Sequence, residues 1–142
     1  MGAVKIRTSD QIFSRCVRER SGWKCERCGA QHEEGSQGLH CSHFHGRGKW
    51  GVRFNPLNTS SHCMGCHLYF GANPSEHAKW MEEKLGPGML QILQEMANDT
   101  TLGRLAKRSE KEIRAHYRAE LARMKQLRAN GETGWIDFEN WI

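Results

Sequence analysis

The stretch that decides the fold is Cys63-Met64-Gly65-Cys66-His67, a Cys-x-x-Cys pair that runs directly into a histidine. A second pair, Cys25-Glu26-Arg27-Cys28, lies upstream of it. A two-residue spacer lets both thiolates of a pair bind one ion, and four thiolates suit tetrahedral zinc. We therefore predict a structural Zn²⁺ with four thiolate ligands: Cys25, Cys28, Cys63 and Cys66.

A thiol redox site is the alternative to this metal site, and two further cysteines lie outside the two pairs. One Cys-x-x-Cys pair alone is compatible with a thiol redox site. Two pairs with no parallel-sheet pattern between them favour a shared metal instead. Cys16 is spaced with apolar residues on one helix face, so we expect it in the core. Cys41 is expected to pack inside the protein, with a metal contact as the alternative.

The composition indicates a small basic domain. The chain has 142 residues, with 21 Lys and Arg against 16 Asp and Glu and a formal net charge of +5. Both ends are basic and the stretch 71–100 is acidic, which suits a polyanion partner, although solvated surface charge explains it equally well. No run of about 18 apolar residues exists, so no membrane span is expected. The N-terminus lacks an apolar signal core, which predicts a cytoplasmic protein without disulfides.

The pattern around the cysteines predicts two strands followed by a helix. Residues 39–44 are a short strand candidate, and Val52-Arg53-Phe54 alternates as a returning strand would. The segment from Cys63 to Phe70 is predicted as a helix that carries the second thiol pair and His67. An amphipathic helix that ends near Arg20 precedes this unit.

Further helices and an apolar tail are predicted after this unit. Asn73-Pro74-Ser75-Glu76 begins a helix that runs to about Leu85, and a shorter one spans Met89 to Ala97. Apolar residues recur at helical spacing from Ile113 to Leu127, so that helix has an apolar face that is either core or a dimer seam. Residues 135–142 are too apolar for a free tail, and we expect them to dock as a strand or an irregular arm.

The predicted fold class is α+β. We divide the chain into an N-terminal arm and helix packed on the core (1–22), a zinc-stapled core (23–86) and a helical C-terminal extension with a docked apolar tail (87–142). The hydrophobic core available to so short a middle segment is small, and domains of that size often need a metal to supplement it. The zinc is therefore expected to contribute much of the stability of this part.

Two histidines and an asparagine around the thiols carry a family resemblance. His43 stands at the end of the first predicted strand, Asn58 in the turn before the second thiol pair, and His67 directly after that pair. With the four cysteines this set resembles the HNH endonucleases, and Ser42-His43-Phe44 together with Arg53 to Asn58 is similar to the phage NinG (Rap) recombination nucleases. The resemblance covers about residues 9–86. It implies a ββα-metal core (HNH, or His-Me finger) flanked by helices, and a phage or prophage origin.

Phosphodiester hydrolysis suits these residues independently of the resemblance. The reaction needs a base that deprotonates water and a cation that neutralises the oxyanion, and neutral imidazole is a suitable base near pH 7. We predict His43 as the general base, Asn58 as the residue that holds it across the hairpin, and His67 as a ligand of a catalytic Mg²⁺, Mn²⁺ or Ni²⁺. A helix cap is the alternative role for Asn58.

The second ligand of the catalytic ion departs from the family pattern. HNH proteins often carry Asp or His immediately before the base, where this chain has Ser42. We predict His40 as the replacement, brought round by a bulge, with His45 as the second choice. His62, beside a zinc ligand, is predicted to pack against the zinc site or hydrogen-bond to it. The other histidines are expected at the surface: His32, His77 and His116.

A basic loop between the predicted strands is the candidate DNA contact. Arg47, Lys49 and Arg53 lie close in sequence to the proposed base, so they could neutralise phosphates. Trp50 could stack on an unpaired base or anchor the loop. Since no base-reading motif is found, we expect recognition through the DNA backbone or DNA shape.

Two functions of different classes follow from these residues. The first is a metal-dependent DNA endonuclease that nicks or cuts DNA, and the NinG resemblance implies branched recombination intermediates as substrates. The alternative is a non-catalytic zinc-binding DNA adaptor with the same fold. The His43, Asn58 and His67 set favours the nuclease, because an adaptor has no need of it. A homodimer through the C-terminal helix is left open.

Overall fold

Helices dominate the part of the chain that this computed structural model describes, residues 4–142. The helices are α1 (Thr8–Arg20), α2 (Trp50–Arg53), α3 (Met64–Ala72), α4 (Pro74–Leu85), α5 (Pro87–Ala97), α6 (Thr100–Arg108) and α7 (Glu110–Ala129). The strands are β1 (Leu39–His43) and β2 (Thr59–Cys63), and a 3-10 turn at Pro56–Asn58 leads into β2. Within residues 4–142, every helix is too short or too polar to cross a membrane.

The two strands form one small antiparallel sheet. Its register pairs Leu39 with Cys63 at one end and His43 with Thr59 at the other. Helix α3 begins at Met64, directly after β2, so the second thiol pair is divided between a strand end and the first turn of a helix. The α+β class predicted from the sequence is confirmed, as is the first strand.

The predicted second strand at Val52-Arg53-Phe54 is wrong. These residues form the end of α2 and the turn after it, and β2 lies farther along the chain. All three side chains are buried, at 0%, 1% and 0% exposure. Val52 packs with Met81 and Phe54 with Phe13, in separate clusters.

Strand β2 is polar and almost completely buried, which hid it from hydropathy patterning. Its hydroxyl groups are hydrogen-bonded inside the protein: Thr59 Oγ1 donates to Pro56 O at 3.0 Å, and Ser61 Oγ donates to Val17 O at 3.1 Å. Ser60 Oγ lies 2.8 Å from Lys84 Nζ. A buried polar strand costs little when its groups are paired. Side-chain pairing therefore replaces the apolar alternation that normally marks a strand.

Helix α1 and helix α7 pack against each other around an aromatic core. Phe13 makes an edge contact with Tyr117 at a ring-centroid distance of 4.8 Å. The C-terminal segment completes this core, because Ile136 and Phe138 are buried in the same cluster. Beyond α7 no strand or helix forms in the described residues, so the tail docks as an irregular arm, one of the two predicted outcomes.

The apolar face of α7 belongs to the core of this chain. Ile113, Tyr117 and Met124 are each 0% exposed. The apolar spacing that predicted a core or a dimer interface is therefore explained by burial within one molecule. A homodimer through α7 stays a prediction. The helix predicted from Asn73-Pro74 to about Leu85 is confirmed as α4, whereas α6 was not predicted.

Candidate functional site

The four predicted zinc ligands come together. The Sγ atoms of Cys25, Cys28, Cys63 and Cys66 all lie within 4.8 Å of one another. Those of Cys28 and Cys63 are 3.7 Å apart. A tetrahedral ion with zinc–sulfur bonds of about 2.3 Å separates its sulfur ligands by roughly 3.8 Å. The cluster therefore has the dimensions and the donor set to hold a structural metal such as zinc.

Backbone contacts place the first thiol pair against the second. Glu26 N donates to Ser61 O at 2.8 Å, and Ser61 N donates to the Glu26 carboxylate at 2.7 Å. The turn after the first pair closes with Gly29 N donating to Cys25 O at 2.9 Å, and Gly29 has φ of 78°, in the left-handed region that glycine favours. The segment carrying the first pair is thus hydrogen-bonded directly to β2.

The thiols also receive hydrogen bonds that suit thiolates. Arg27 Nη1 donates to Cys66 Sγ at 3.4 Å, and Cys28 N approaches Cys25 Sγ at 3.5 Å. Burial alone would raise the pKa of Cys25, but backbone N–H groups outweigh it and lower that pKa to about 7. Burial raises the pKa of the Cys66 thiol to about 12 despite the Arg27 hydrogen bond. It also raises the pKa of the Cys16 thiol to about 12 in the aromatic core, where the sequence predicted Cys16.

His43 is held by one ring nitrogen and unpartnered at the other. Its Nε2 lies 3.0 Å from Arg53 O, and because a carbonyl only accepts, Nε2 carries the proton. Nδ1 is then the nitrogen with a lone pair, and this buried atom has no hydrogen-bond partner. Burial, and after it the charge of Arg47, lowers the pKa of His43 to about 4, so the imidazole is neutral near pH 7.

Asn58 holds the chain beyond β1 rather than the ring of His43. Its Oδ1 accepts from His45 N at 2.8 Å, and its Nδ2 donates to His45 O at 2.9 Å and to Val52 O at 3.1 Å. The amide is 0% exposed. It thereby joins the loop after His43 to helix α2, whose last residue supplies the carbonyl that binds His43. The alternative role as a cap of α3 is wrong, since Cys63 is the residue that precedes this helix.

His67 lies between Ser42 and His40. The distance from Ser42 Oγ to His67 Nδ1 is 2.7 Å. The ring of His40 stacks on that of His67, with a centroid distance of 4.9 Å and an interplanar angle of 8°. His45 instead packs edge-on against Phe44. Of the two residues predicted to assist His67, the structure therefore brings His40 to it.

A cavity of about 350 Å³ is lined by His43 and His67, and one of its other lining residues was not predicted from the sequence. Ser42, His43 and His67 line it together with His77, which was expected at the surface. The ring of His77 stacks on Phe70 at a centroid distance of 4.7 Å, and burial lowers its pKa to about 4. Its only sequence signal is a position in the first turns of α4, the helix that folds back onto α3.

The candidate DNA residues separate into exposed and buried groups. Lys49 is exposed and Arg47 is half-buried. Arg53 is 1% exposed, and its guanidinium donates to both Asp10 oxygens at 3.0 and 2.6 Å. Since no phosphate can reach it there, the prediction of Arg53 as a DNA contact is corrected. Trp50 packs edge-on against Phe54 and beneath the Arg53 guanidinium, which favours the anchoring role for its indole.

Comparisons of the chain with protein-family models, with curated proteins and with solved structures find no match. The HNH resemblance therefore rests on the sequence residues alone. Function has to be argued from the chemistry of these side chains.

Proposed function

We propose that the protein is a metal-dependent DNA endonuclease of the HNH type. The observation that carries the proposal is the state of His43: its Nε2 is engaged by a carbonyl, and its Nδ1 is free to take a proton. This nitrogen belongs to a residue that lines the same cavity as Ser42 and His67. A positioned, neutral imidazole beside candidate metal ligands is the arrangement that water activation requires.

In the proposed reaction, His43 Nδ1 removes a proton from water and the resulting hydroxide attacks the phosphorus. One phosphorus–oxygen ester bond breaks, and the departing alkoxide is protonated from solvent. Asn58 acts as a positioning residue, because its hydrogen bonds fix the loop and α2, and α2 carries the Arg53 carbonyl. The proton on Nε2 is thus held by a main-chain group whose own position is fixed.

The donors around His67 fit a divalent ion of borderline softness. If His67 Nδ1–H donates to Ser42 Oγ, its Nε2 keeps the lone pair that a metal needs, as in other metal-bound histidines with an oxygen partner. His40 Nε2 is buried without a hydrogen-bond partner, so it is available as the second ligand. A bound ion would stabilise negative charge on the phosphate oxygens. Imidazole donors without a carboxylate favour Ni²⁺ over Mg²⁺ or Mn²⁺.

Ser42 therefore has a role in the proposal although it is not a carboxylate. The family pattern puts a ligand at this position, and here the residue would orient a ligand instead. The contact of 2.7 Å is short enough to fix the ring rotation of His67, and the hydroxyl can accept a hydrogen bond from Nδ1–H when Nε2 binds a metal. The metal site would then consist of His67, His40 and water.

The test is cleavage of a supercoiled plasmid and of a four-way junction with Mg²⁺, Mn²⁺ or Ni²⁺. We expect metal-dependent nicking, and a loss of at least ~100-fold in His43→Ala, the lower end for removal of a general base. His116→Ala is the matched control, because its ring binds a carbonyl near the C-terminus, away from the cavity. Zinc content measured in all three proteins verifies that the thiol cluster is intact.

The alternative function is a zinc-binding DNA adaptor without catalysis. It is favoured by the low pKa of His43, about 4, which makes this imidazole a weak base at neutral pH. Equal DNA binding by wild type and His43→Ala, with no cutting by either under any of the three ions, would establish the adaptor and exclude the nuclease.

A further inference from the structure

A second cavity, of about 490 Å³, lies between α1, the loop at 35–37 and β1. Three arginines line it, Arg15 and Arg18 from α1 and Arg47 from the loop after β1, together with His40 and His67. We call it the arginine cavity. Among the described residues that line it, none is an aspartate or a glutamate. The lining is therefore cationic without an internal counter-charge.

Two donors of these arginines are buried and unsatisfied. Arg18 Nε and Arg47 Nε have no solvent contact and no hydrogen-bond partner. A buried donor without a partner costs about 1–3 kcal/mol, and more when it is charged. Because the side chains that carry these two atoms line the cavity, a ligand with several acceptor oxygens suits it.

One carboxylate lies beside these arginines. Asp10 lies 3.6 Å from Arg47 Nε, within ion-pair distance, and it also accepts two hydrogen bonds from Arg53. Arg18 is held in place by its guanidinium, which lies 5.3 Å from the ring centroid of Trp23. Arg47 is thus partly neutralised, whereas the cavity lining offers no carboxylate to Arg15 or Arg18.

His67 lines both the arginine cavity and the cavity that holds His43. We propose that the arginine cavity binds an internal phosphate of the DNA backbone, next to the phosphate that is cut. This inference rests on the proposed function, and it adds Arg15 and Arg18 as DNA-binding residues. Guanidinium forks match the oxygens of a phosphate, and neighbouring phosphates of one strand would occupy the two cavities in turn.

The first experiment measures binding of a short duplex, by fluorescence anisotropy, without added divalent metal and at several salt concentrations. We expect Arg15→Gln with Arg18→Gln to weaken binding by about tenfold, and to lower the slope of log K against log salt by about 1, as loss of one phosphate contact does. Arg118→Gln, an exposed arginine on α7, is the matched control and should bind as wild type does. Unchanged binding by the double variant would overturn the proposal.

Two single variants distinguish a loss of DNA affinity from a loss of folding. Arg15 is exposed, so Arg15→Gln removes one charge without disturbing the core, and we expect about a threefold loss of affinity. Arg18→Lys keeps the charge and the packing on Trp23, and it should retain most of the binding. If Arg15→Gln binds DNA as tightly as wild type while it unfolds at the wild-type temperature, its charge does not contribute to binding, and the proposal fails.

The source of the phosphate is tested with matched oligonucleotides. An internal phosphate predicts the same loss for duplexes with and without 5′-phosphates, and little competition from millimolar inorganic phosphate. A loss seen only with 5′-phosphorylated ends would overturn the assignment to the backbone. Cleavage assays keep the two proposals apart: weakened binding in the variants of a protein that never cuts DNA refutes only the nuclease, whereas unchanged binding in a protein that cuts refutes only the arginine cavity.

Discussion

The thiol cluster and the histidine cavity lie at opposite ends of the same β-sheet, and they are built in different ways. The thiols come in two local pairs, and each pair is shaped by its own turn. The cluster forms when these two turns come into contact. The histidine cavity takes Ser42 and His43 from β1, His67 from α3 and His77 from α4. A four-cysteine cluster can therefore be specified by short motifs, whereas the cavity exists only after three elements have packed.

The two regions are connected through β2 and α3. Cys63 ends β2, Cys66 lies in the first turn of α3, and His67 follows it. Lys84 of α4 reaches back to Glu26, in the first thiol pair, at 2.6 Å, so the helix that carries His77 is tied to the same site. Substitution of a cysteine in the thiol cluster should therefore disturb the positions of the histidines. Substitution of a cavity histidine should leave the thiol cluster intact.

The largest expected effect comes from breaking the thiol cluster. Cys66→Ser should abolish stoichiometric zinc binding and cooperative unfolding, because structural zinc contributes about 10–16 kcal/mol in small zinc-binding peptides. Cys41→Ser is the control, since this thiol lies outside the cluster. Zinc analysis together with thermal unfolding measures both. Cooperative melting of Cys66→Ser at the wild-type temperature would contradict a structural role of the metal.

A smaller effect is expected from breaking the buried ion pair between Asp10 and Arg53. Asp10 and Arg53 are each 1% exposed, and loss of one partner of a buried pair costs about 3–5 kcal/mol. Asp10→Asn should therefore destabilise the protein and also lower any cleavage, since Arg53 carries the carbonyl that orients His43. Zinc content should not change, which separates this variant from Cys66→Ser in urea unfolding and metal analysis.

The same pair predicts the sign of a pH dependence. Burial alone would raise the pKa of Asp10, but hydrogen bonds from Arg53 and from Arg7 N, with the Arg53 charge, lower it below 3.8 overall. Its stabilisation is complete above about pH 4 and is lost as the pH falls through the folded-state pKa. The difference in free energy of unfolding between wild type and Asp10→Asn should narrow only below about pH 4. A difference that narrows already between pH 7 and 5 would contradict this assignment.

The smallest expected effect concerns Ser42. Ser42→Ala removes the oxygen partner of His67 Nδ1, and loss of such a partner typically weakens metal binding by about 10–100-fold. The catalytic ion should then be needed at higher concentration, with DNA binding and zinc content unchanged. Ser42→Asp is the matched gain-of-function variant, because a carboxylate should extend the accepted ions to Mg²⁺. Equal metal dependence of all three proteins would exclude Ser42 from the site.

Some features of the fold were predictable because they depend on neighbours in the sequence. The α4 start at Asn73-Pro74 and the helix after Cys63 follow from local capping and spacing, and both form. The strand at 52–54 failed for the opposite reason. Its burial results from Met81 and Phe13, which come from distant parts of the chain, and a polar segment took the place in the sheet because Lys84, Val17 and Pro56 satisfy its hydroxyl groups.

The candidate site divides in the same way. His67 could be selected because it directly follows a thiol pair, and His43 because its place at the end of a predicted strand matches the HNH resemblance. His77 could not, since its nearness to His67 depends on the angle at which α4 returns over α3. The burial of Arg53 was equally hidden, because its partner Asp10 lies on another helix. Arg15 and Arg18 carried no motif, and only the packing of α1 on β1 turns them towards His40.

The amino-acid sequence was enough to predict the four-cysteine cluster, the first strand with the helix after Cys63, and the position of His67 directly after the second thiol pair. These depend on spacing along one chain, which is covalent and survives any packing. The tertiary structure alone decided which nitrogen of His43 is free, that Ser42 contacts His67, and that three arginines share a cavity. Such facts depend on orientation and burial, and both are set by contacts between residues that are remote in sequence.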